Sequence, residues 1–275
     1  MIAALIIVFR EVFEAGLIIG IVMAATQTIP RHGVWVSGGV AAGVLGSCVV
    51  ALFAGALSQA FEGIGQELFN ATIMLIAVAM LTWHNVWMTR HGKELAEKLK
   101  ATGQAVTDGS KSLFALALVV CVAVLREGFE VVMFLYGVLA SEGVGQVMIG
   151  GACGLLLGAI VCFVTYRGLL NIPQRYLFGV TSVMIAFLAA GMAAQAVLFL
   201  EQANVVTVLG GTVWNTSWLL AEDGVLGRVL HTLIGYSDRP SGAQLAAYLF
   251  VLAVMFTLMK MLAPPARHIR AVPAE

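Results

Sequence analysis

Charged residues are scarce in this chain. Of its 275 residues, 11% are Asp, Glu, Lys or Arg, against about 25% in ordinary soluble domains. Soluble enzymes, disordered tails and nucleic-acid-binding proteins all need charge at their surfaces, so the composition excludes these classes. The basic and acidic residues also balance, with 15 of each, so nothing indicates a polyanionic partner such as nucleic acid.

Cysteine pairs and a phosphate-binding loop are also missing. All four cysteines lie inside apolar runs and form no CxxC pair, which predicts buried small side chains rather than disulfides or a zinc site. No GxxxxGK[ST] sequence occurs, which excludes ATP hydrolysis by that device. The cysteines are Cys48, Cys121, Cys153 and Cys162.

Long apolar segments dominate what is present. Hydrophobic residues make up 60% of the chain, and its 30 glycines suit helices that pack closely in lipid. A helix needs about 20 apolar residues to cross the hydrocarbon core, and seven segments are long enough. We therefore predict an all-α, polytopic membrane protein with seven transmembrane helices. The segments are 1–28, 33–61, 68–89, 112–141, 143–166, 176–200 and 241–259.

The distribution of Lys and Arg predicts the orientation. One set of alternate loops, with the carboxyl-terminal tail, holds eleven of these residues, and the other set holds only Arg228 and Arg239. Because cytoplasmic loops carry the excess of Lys and Arg, we predict an amino terminus outside and a carboxyl terminus in the cytoplasm.

The first and fourth segments contain nearly the same pentapeptide, Arg10–Glu14 and Arg126–Glu130, 116 residues apart. The following segments also match, Gly38-Gly39 and Gly46 with Gly150-Gly151 and Gly158. We predict two three-helix repeats, the second inverted, plus one carboxyl-terminal helix, an arrangement typical of transporters. The predicted units are a first repeat at 1–89, a cytoplasmic linker at 90–111, an inverted repeat at 112–201, an extracytoplasmic loop at 202–240, a seventh helix at 241–262 and a cytoplasmic tail at 263–275. We also predict a short charged helix at 93–107 within the linker and an amphipathic helix near 222–234 within the loop.

The two pentapeptides place charges near the centre of the bilayer, where each costs about 2.5–3.5 kcal/mol. Within each, the two glutamates lie on one helix face, and the arginine is one turn from the second glutamate. The six residues carry a surplus of two negative charges, which a multivalent cation would neutralise. Ion pairs that only fix helix register are the alternative, made less attractive by the second copy. The six are Arg10, Glu11, Glu14, Arg126, Glu127 and Glu130.

The ligand type restricts the cation. Carboxylates suit hard ions such as Mg²⁺, Ca²⁺, Mn²⁺ and Fe³⁺, and they bind Fe²⁺ less selectively. No His or Cys lies within a turn of either pentapeptide, which argues against zinc or copper. A di-iron oxidase would need Glu-x-x-His pairs, which the chain lacks. A membrane-embedded carboxylate metalloenzyme or a subunit of a larger complex remains the less favoured alternative.

Four further residues are secondary candidates. Glu62 and Glu67 flank a glycine-containing outer loop and could collect cations at an entrance, or be solvated loop acids. Glu201 follows the sixth segment, where a solvated face is the more common outcome. His84, between Trp83 and Trp87 near the predicted inner end of the third segment, is typical of an interfacial anchor, with an exit ligand as the alternative.

Taken together, these motifs resemble the oxidase-dependent, high-affinity iron permease family, which includes bacterial EfeU- and FtrC-type and fungal members. The resemblance covers nearly the whole chain. It implies an iron uptake permease of the bacterial inner membrane, not an enzyme. The other matching motifs are Gln66–Phe69, Leu81–Trp83, Trp87-Met88, Ala189–Gly191, Glu201 and Leu233–Tyr236.

The resemblance also implies roles. Glu11, Glu14, Glu127 and Glu130 would bind or relay the ion, as Fe³⁺ or Fe²⁺, with Arg10 and Arg126 as their charge partners. Iron would be the transported substrate, with no permanently bound cofactor, and an extracytoplasmic oxidase or iron-delivery protein would be the partner. Permeases for Pb²⁺ or Mn²⁺ remain alternatives.

Overall fold

The computed structural model describes residues 1–60, 65–140, 142–167, 174–222 and 224–262. Over these residues the chain is helical, with one isolated bridge between Thr212 and Ser241 and no extended strand. The all-α prediction is confirmed for this part of the chain. Its helices are α1 (Ile2–Ala25), α2 (His32–Ala60), α3 (Gln66–Thr107), α4 (Leu113–Leu139), α5 (Val144–Tyr166), α6 (Gln174–Gln202), α7 (Val225–Ile234) and α8 (Gly242–Leu262).

Five of these helices are long and apolar enough to cross a membrane, namely α2, α3, α5, α6 and α8. The helices α1 and α4 have 24 and 27 residues, but each carries three charged residues in its middle. Length and composition therefore support a polytopic membrane protein with five spans and leave α1 and α4 to be assigned by other arguments.

Helix α3 is longer than the sequence analysis predicts. It runs without a break for 42 residues, through the segment 90–107 that was predicted to form a linker with its own short helix. The charged residues after Met88 mark only the end of the apolar stretch, because a solvated helix continues readily through Lys, Glu and Ala. Thr107 Oγ1 donates to the Ala25 carbonyl at 3.2 Å, so the extension packs beside the end of α1.

The bundle is built from cross-packed pairs in which α1 lies against α5 and α2 against α4. Glycines make the close contacts possible. A Cβ added at Gly43 would lie 2.7 Å from Val124 Cβ, and one added at Gly154 would lie 3.0 Å from the Phe9 amide nitrogen. Since no side chain fits there, glycine lets the helix backbones approach.

Helices α3, α6 and α8 complete the bundle around a common core. Met74 and Leu81 of α3, Ile185 and Ala189 of α6, and Met255 of α8 are all buried in one apolar cluster. Asn85 donates to the Ser182 carbonyl at 3.1 Å, which ties the middle of α3 to α6. This framework fixes the backbone position of the neighbouring residue, His84.

Two details of the surface differ from or extend the predictions. Cys48 and Cys153 are exposed, so the prediction of buried cysteines is wrong for them; Cys48 borders a cavity among α1, α2, α4 and α5. The amphipathic helix predicted near 222–234 is confirmed as α7. It ends at Gly235, whose φ of 67° favours glycine and whose Cα lies against Gly191 of α6.

Candidate metal site

The motif on α1 is buried inside the bundle. Arg10, Glu11 and Glu14 are each at most 2% exposed. Arg10 Nε lies 2.9 Å from Glu14 Oε1, and Arg10 Nη1 lies 3.5 Å from Glu11 Oε1. The predicted pairing of the arginine with the second glutamate, one helical turn away, is confirmed.

The motif on α4 repeats this pairing in a more open setting. Arg126 Nε lies 3.2 Å from Glu130 Oε1 and 3.6 Å from Glu127 Oε1. The Arg126 side chain is 34% exposed, and its guanidinium lies over the Trp87 ring, 4.6 Å from the centroid. An aromatic face attracts a cation at this distance, so α3 contributes to holding this arginine.

His84 of α3 lies between the two motifs. Its Nε2 is 3.3 Å from Glu14 Oε2 and 3.9 Å from Glu11 Oε2, and its Nδ1 contacts Glu130 Oε2. The residue is 4% exposed, so its interpretation as an interfacial anchor is wrong. His84 lies four residues before the end of the apolar span at Met88, but its side chain points into the bundle, toward the glutamates of α1 and α4, and not toward the membrane surface.

Four side chains from three helices bring ligand atoms together. One atom from each lies within 4.8 Å of the others, which is a spacing that could hold a metal ion. Glu11 Oε2 and Glu127 Oε2 are buried and accept no hydrogen bond from any described residue, and a buried carboxylate oxygen without a partner is costly unless a cation neutralises it. The group consists of Glu11, His84, Glu127 and Glu130.

Glu14, a predicted ligand, stands slightly apart from this group. Its Oε1 is held by Arg10 and its Oε2 faces His84. The geometry therefore suits Glu14 to orient the arginine and the imidazole. The sequence analysis named His84 only as a secondary candidate, with an exit ligand as the alternative to an anchor, although a stronger signal was available. His84 and Asn85 form a polar pair inside an otherwise apolar stretch.

Two cavities border the group formed by Glu11, His84, Glu127 and Glu130. One of about 740 Å³ lies among α1, α2, α4 and α5 and has Glu11 and Glu127 in its wall. Another, of about 260 Å³, is lined by residues of α3 and α4 that include His84 and Glu130. The four-residue group thus separates two spaces and borders both.

The secondary candidates lie elsewhere. Glu67 is exposed in the first turn of α3, and Glu62 falls outside the described residues. Glu201 accepts a hydrogen bond from Ser241 Oγ at 2.6 Å, which joins the end of α6 to the start of α8. Neither Glu67 nor Glu201 belongs to the described group of ligand atoms.

Comparison with known proteins decides the family. A sequence profile described as "Iron permease FTR1 family" matches residues 1–266. The chain belongs to the iron permease FTR1 family. It is 30% identical over 261 residues to the ferrous iron permease EfeU of Escherichia coli O6:H1, covering 92% of this chain and 94% of the relative.

A second relative agrees. The ferrous iron permease EfeU of Yersinia pestis is 30% identical over 253 residues, covering 90% of this chain and 89% of the relative. No solved structure gives a significant match. The predictions of an iron permease, of a transporter rather than an enzyme, and of an integral protein of the bacterial inner membrane are confirmed at this level.

Proposed function

We propose that this permease carries Fe²⁺ into the cytoplasm through the acidic cluster, which we define as Glu11, Glu14, Glu127 and Glu130. The observation that carries the proposal is that ligand atoms of Glu11, Glu127 and Glu130 converge, with one from His84, within 4.8 Å. Glu14 lies beside them, paired with Arg10 and facing His84. The four glutamates and two arginines leave two negative charges, which one divalent ion neutralises. The names of the relatives, ferrous iron permeases, support the divalent state.

The proposal includes seven transmembrane helices, with α1 and α4 as the additional spans. Their six charged residues pair with one another and with His84 inside the bundle, which lowers the cost of crossing the membrane. The helix ends also meet as seven alternating spans require, with the start of α1 beside the end of α4 and the end of α1 beside the end of α3. The Met1 ammonium contacts Glu142 at one end, and Thr107 contacts Ala25 at the other.

The proposal also includes the inverted repeat, and the packing of the described helices supports it. If α1 to α3 correspond to α4 to α6, the pairs α1–α5 and α4–α2 become equivalent, and these two pairs do pack together. Gly43 of α2 packs against Val124 of α4, and Gly154 of α5 packs against Val8 of α1. Val8 and Val124 are 116 residues apart, the same separation as the two pentapeptides. The matching glycines are Gly39 and Gly43 with Gly150 and Gly154, one residue away from the register predicted by the sequence analysis.

Inward transport needs a driving force, and the membrane potential supplies one. It offers about 2.3 kcal/mol per charge per 100 mV, hence about 4.6 kcal/mol for a divalent ion. The smaller cavity, lined in part by His84, Arg126 and Glu130, offers polar side chains to the ion beside the cluster, whereas the larger one is lined almost entirely by apolar side chains. The extracytoplasmic oxidase or delivery protein stays a prediction, as does the absence of a permanent cofactor.

The experiment is iron uptake into proteoliposomes under an inside-negative potential, with Fe²⁺ kept reduced by ascorbate. Glu127→Gln and Glu130→Gln should each lower uptake by about 10-fold or more, as loss of groups at a metal site does. Glu97→Gln is the matched control, because Glu97 is exposed on α3 and lies outside the cluster, and it should leave uptake unchanged. Normal uptake by a correctly folded Glu127→Gln protein would refute the assignment.

The same assay addresses the alternatives. Competition by Mn²⁺, Pb²⁺ or Fe³⁺, each tested at equal concentration, ranks the ions. Stronger uptake of Mn²⁺ or Pb²⁺ than of Fe²⁺ would contradict the choice of substrate, while uptake only after addition of an oxidant would favour Fe³⁺.

A further inference from the structure

We propose that His84 is a direct ligand of the transported ion and sets the preference of the permease for Fe²⁺ over Mn²⁺. The inference rests on the proposed function and adds a nitrogen donor to a site otherwise made of carboxylates. Carboxylates alone suit Mn²⁺, Mg²⁺ and Ca²⁺, whereas an imidazole favours iron and later transition metals. One histidine in the right place would therefore change which divalent ions the site accepts.

The position of the ring supports direct ligation. His84 is the one residue of α3 in the four-residue group, and it contacts glutamates from both α1 and α4. An ion with bonds of about 2.1 Å holds its ligand atoms no more than about 4.2 Å apart. The observed limit of 4.8 Å requires the side chains to close by only a few tenths of an ångström each.

Both ring nitrogens face carboxylates, which orients the imidazole for ligation. Nε2 faces Glu14 and Glu11, and Nδ1 faces Glu130. A histidine that binds a metal usually donates its other N–H to a carboxylate. Whichever nitrogen binds the ion, a glutamate is in place for the other.

The site has this donor on one side only. The third and sixth segments share Leu68-Phe69 with Leu177-Phe178 and Thr72 with Thr181. In this alignment the position in α6 that corresponds to His84 is Ala193, which is 3% exposed within the apolar core. The two motifs are nearly identical, but the imidazole is unique among the described residues near the cluster. A change at position 84 should therefore alter the selectivity of the whole site.

His84 could instead act only as a tie between Glu14 and Glu130, and two measurements separate these roles. The first is the ratio of Fe²⁺ to Mn²⁺ uptake in anaerobic competition. If His84 is a ligand, His84→Gln should lower this ratio by about 10-fold or more. A mere tie would lower the uptake of both ions together and leave the ratio unchanged.

The second measurement uses Mn²⁺ as a paramagnetic probe bound to the full-length protein. Pulsed electron paramagnetic resonance should detect coupling to an imidazole nitrogen in the wild type and in His91→Gln, and not in His84→Gln. His91 is a suitable control because it lies on the same helix, stacked on Trp87, outside the four-residue group.

Each result decides the proposal. Wild-type protein that binds Mn²⁺ without nitrogen coupling overturns it, even if His84→Gln fails to fold. So does coupling that persists in His84→Gln, or an unchanged ratio. The proposed function fails separately, if uptake survives in Glu127→Gln and Glu130→Gln. Glutamate-dependent uptake with an unchanged ratio would remove only the role of His84.

Discussion

Arg10 and Arg126 occupy the same place in two nearly identical motifs, yet their surroundings differ. Arg10 is sealed among glutamates, with its side chain 1% exposed, while Arg126 is 34% exposed and stacked on Trp87. Trp87 of α3 lies against the arginine of the α4 motif, while His84 of the same helix contacts glutamates of both motifs. Motif sequence alone predicts the arginine–glutamate pairs but not this asymmetry.

His84 shows where sequence reasoning stops. Spacing along a helix predicts contacts between residues three or four apart, which is why the pairs Arg10–Glu14 and Arg126–Glu130 could be predicted. The contact between His84 and Glu14 joins different helices and depends on how far α3 is displaced along its axis. That displacement is decided by packing against α4 and α6, which no local pattern records.

A second histidine, His231 of α7, gives a prediction about pH. Its Nδ1 lies 3.0 Å from Glu222 Oε1, and the Glu222 carboxylate raises the pKa of His231 above 6.5, while the hydrogen bond with His231 lowers the pKa of Glu222 below 4.5. Asp238 and Glu142 also face the pair. Solvent screens it, so we expect a contribution of at most about 1 kcal/mol.

The sign follows from the two shifts. The contribution of His231 is complete below pH 6.5 and is lost as the pH rises through its raised pKa, while that of Glu222 is lost as the pH falls through its lowered pKa. The measured quantity is the hydrogen-exchange rate of the α7 amides in the wild type divided by the rate in His231→Gln at the same pH. This ratio should increase as the pH rises above neutrality. An identical pH response in both proteins would contradict the pairing.

At the scale of elements, helix existence was predictable and helix ends were less so. Every predicted span corresponds to a described helix because long apolar runs have few alternatives in lipid. The boundary of α3 was misjudged because loss of apolarity marks the membrane surface and not the end of hydrogen bonding. Under the proposed inverted repeat, the packing pairs glycines one residue away from the sequence match of Gly46 with Gly158, because that match ignores which face of the helix is in contact.

The glycine pairing of the proposed inverted repeat leads to a prediction about the contact between α2 and α4. Gly158 of α5 accommodates the Val12 side chain, and in the equivalent pair Gly128 of α4 faces Ser47 of α2, with the larger residue on the other helix. Gly128→Val should therefore clash with Ser47 and destabilise the fold by about 1–3 kcal/mol. Adding Ser47→Gly recreates the Val12–Gly158 arrangement and should restore most of the loss.

The thermal stability of both variants is measured in detergent by heating the protein and quantifying the folded fraction by size-exclusion chromatography. Ser47→Gly alone is the control for the cavity that this substitution creates. A double variant no more stable than Gly128→Val would mean that the α2–α4 and α1–α5 contacts are not equivalent. That result would count against the inverted repeat itself.

At the scale of the whole molecule, composition accounts for the membrane location, while the charged helices decide the topology. With α4 across the bilayer, three spans separate the turn after α3 from the loop after α6, so these sites lie on opposite sides. If α4 does not cross, only α5 and α6 separate them and both sites share a side. The number of spans and the orientation can therefore be tested with two positions.

Ser110, in the turn after α3, and Thr207, in the loop after α6, are both exposed. In a chain whose four native cysteines are replaced by alanine, we expect a membrane-impermeant maleimide to label Thr207→Cys on intact spheroplasts. Ser110→Cys should react only after permeabilisation, because the excess of Lys and Arg holds its side in the cytoplasm. Labelling of both in intact cells would remove α4 from the spans. Labelling of Ser110→Cys alone would reverse the orientation. The membrane potential would still favour cation entry into the cytoplasm, but the ion would then enter from the Ser110 side.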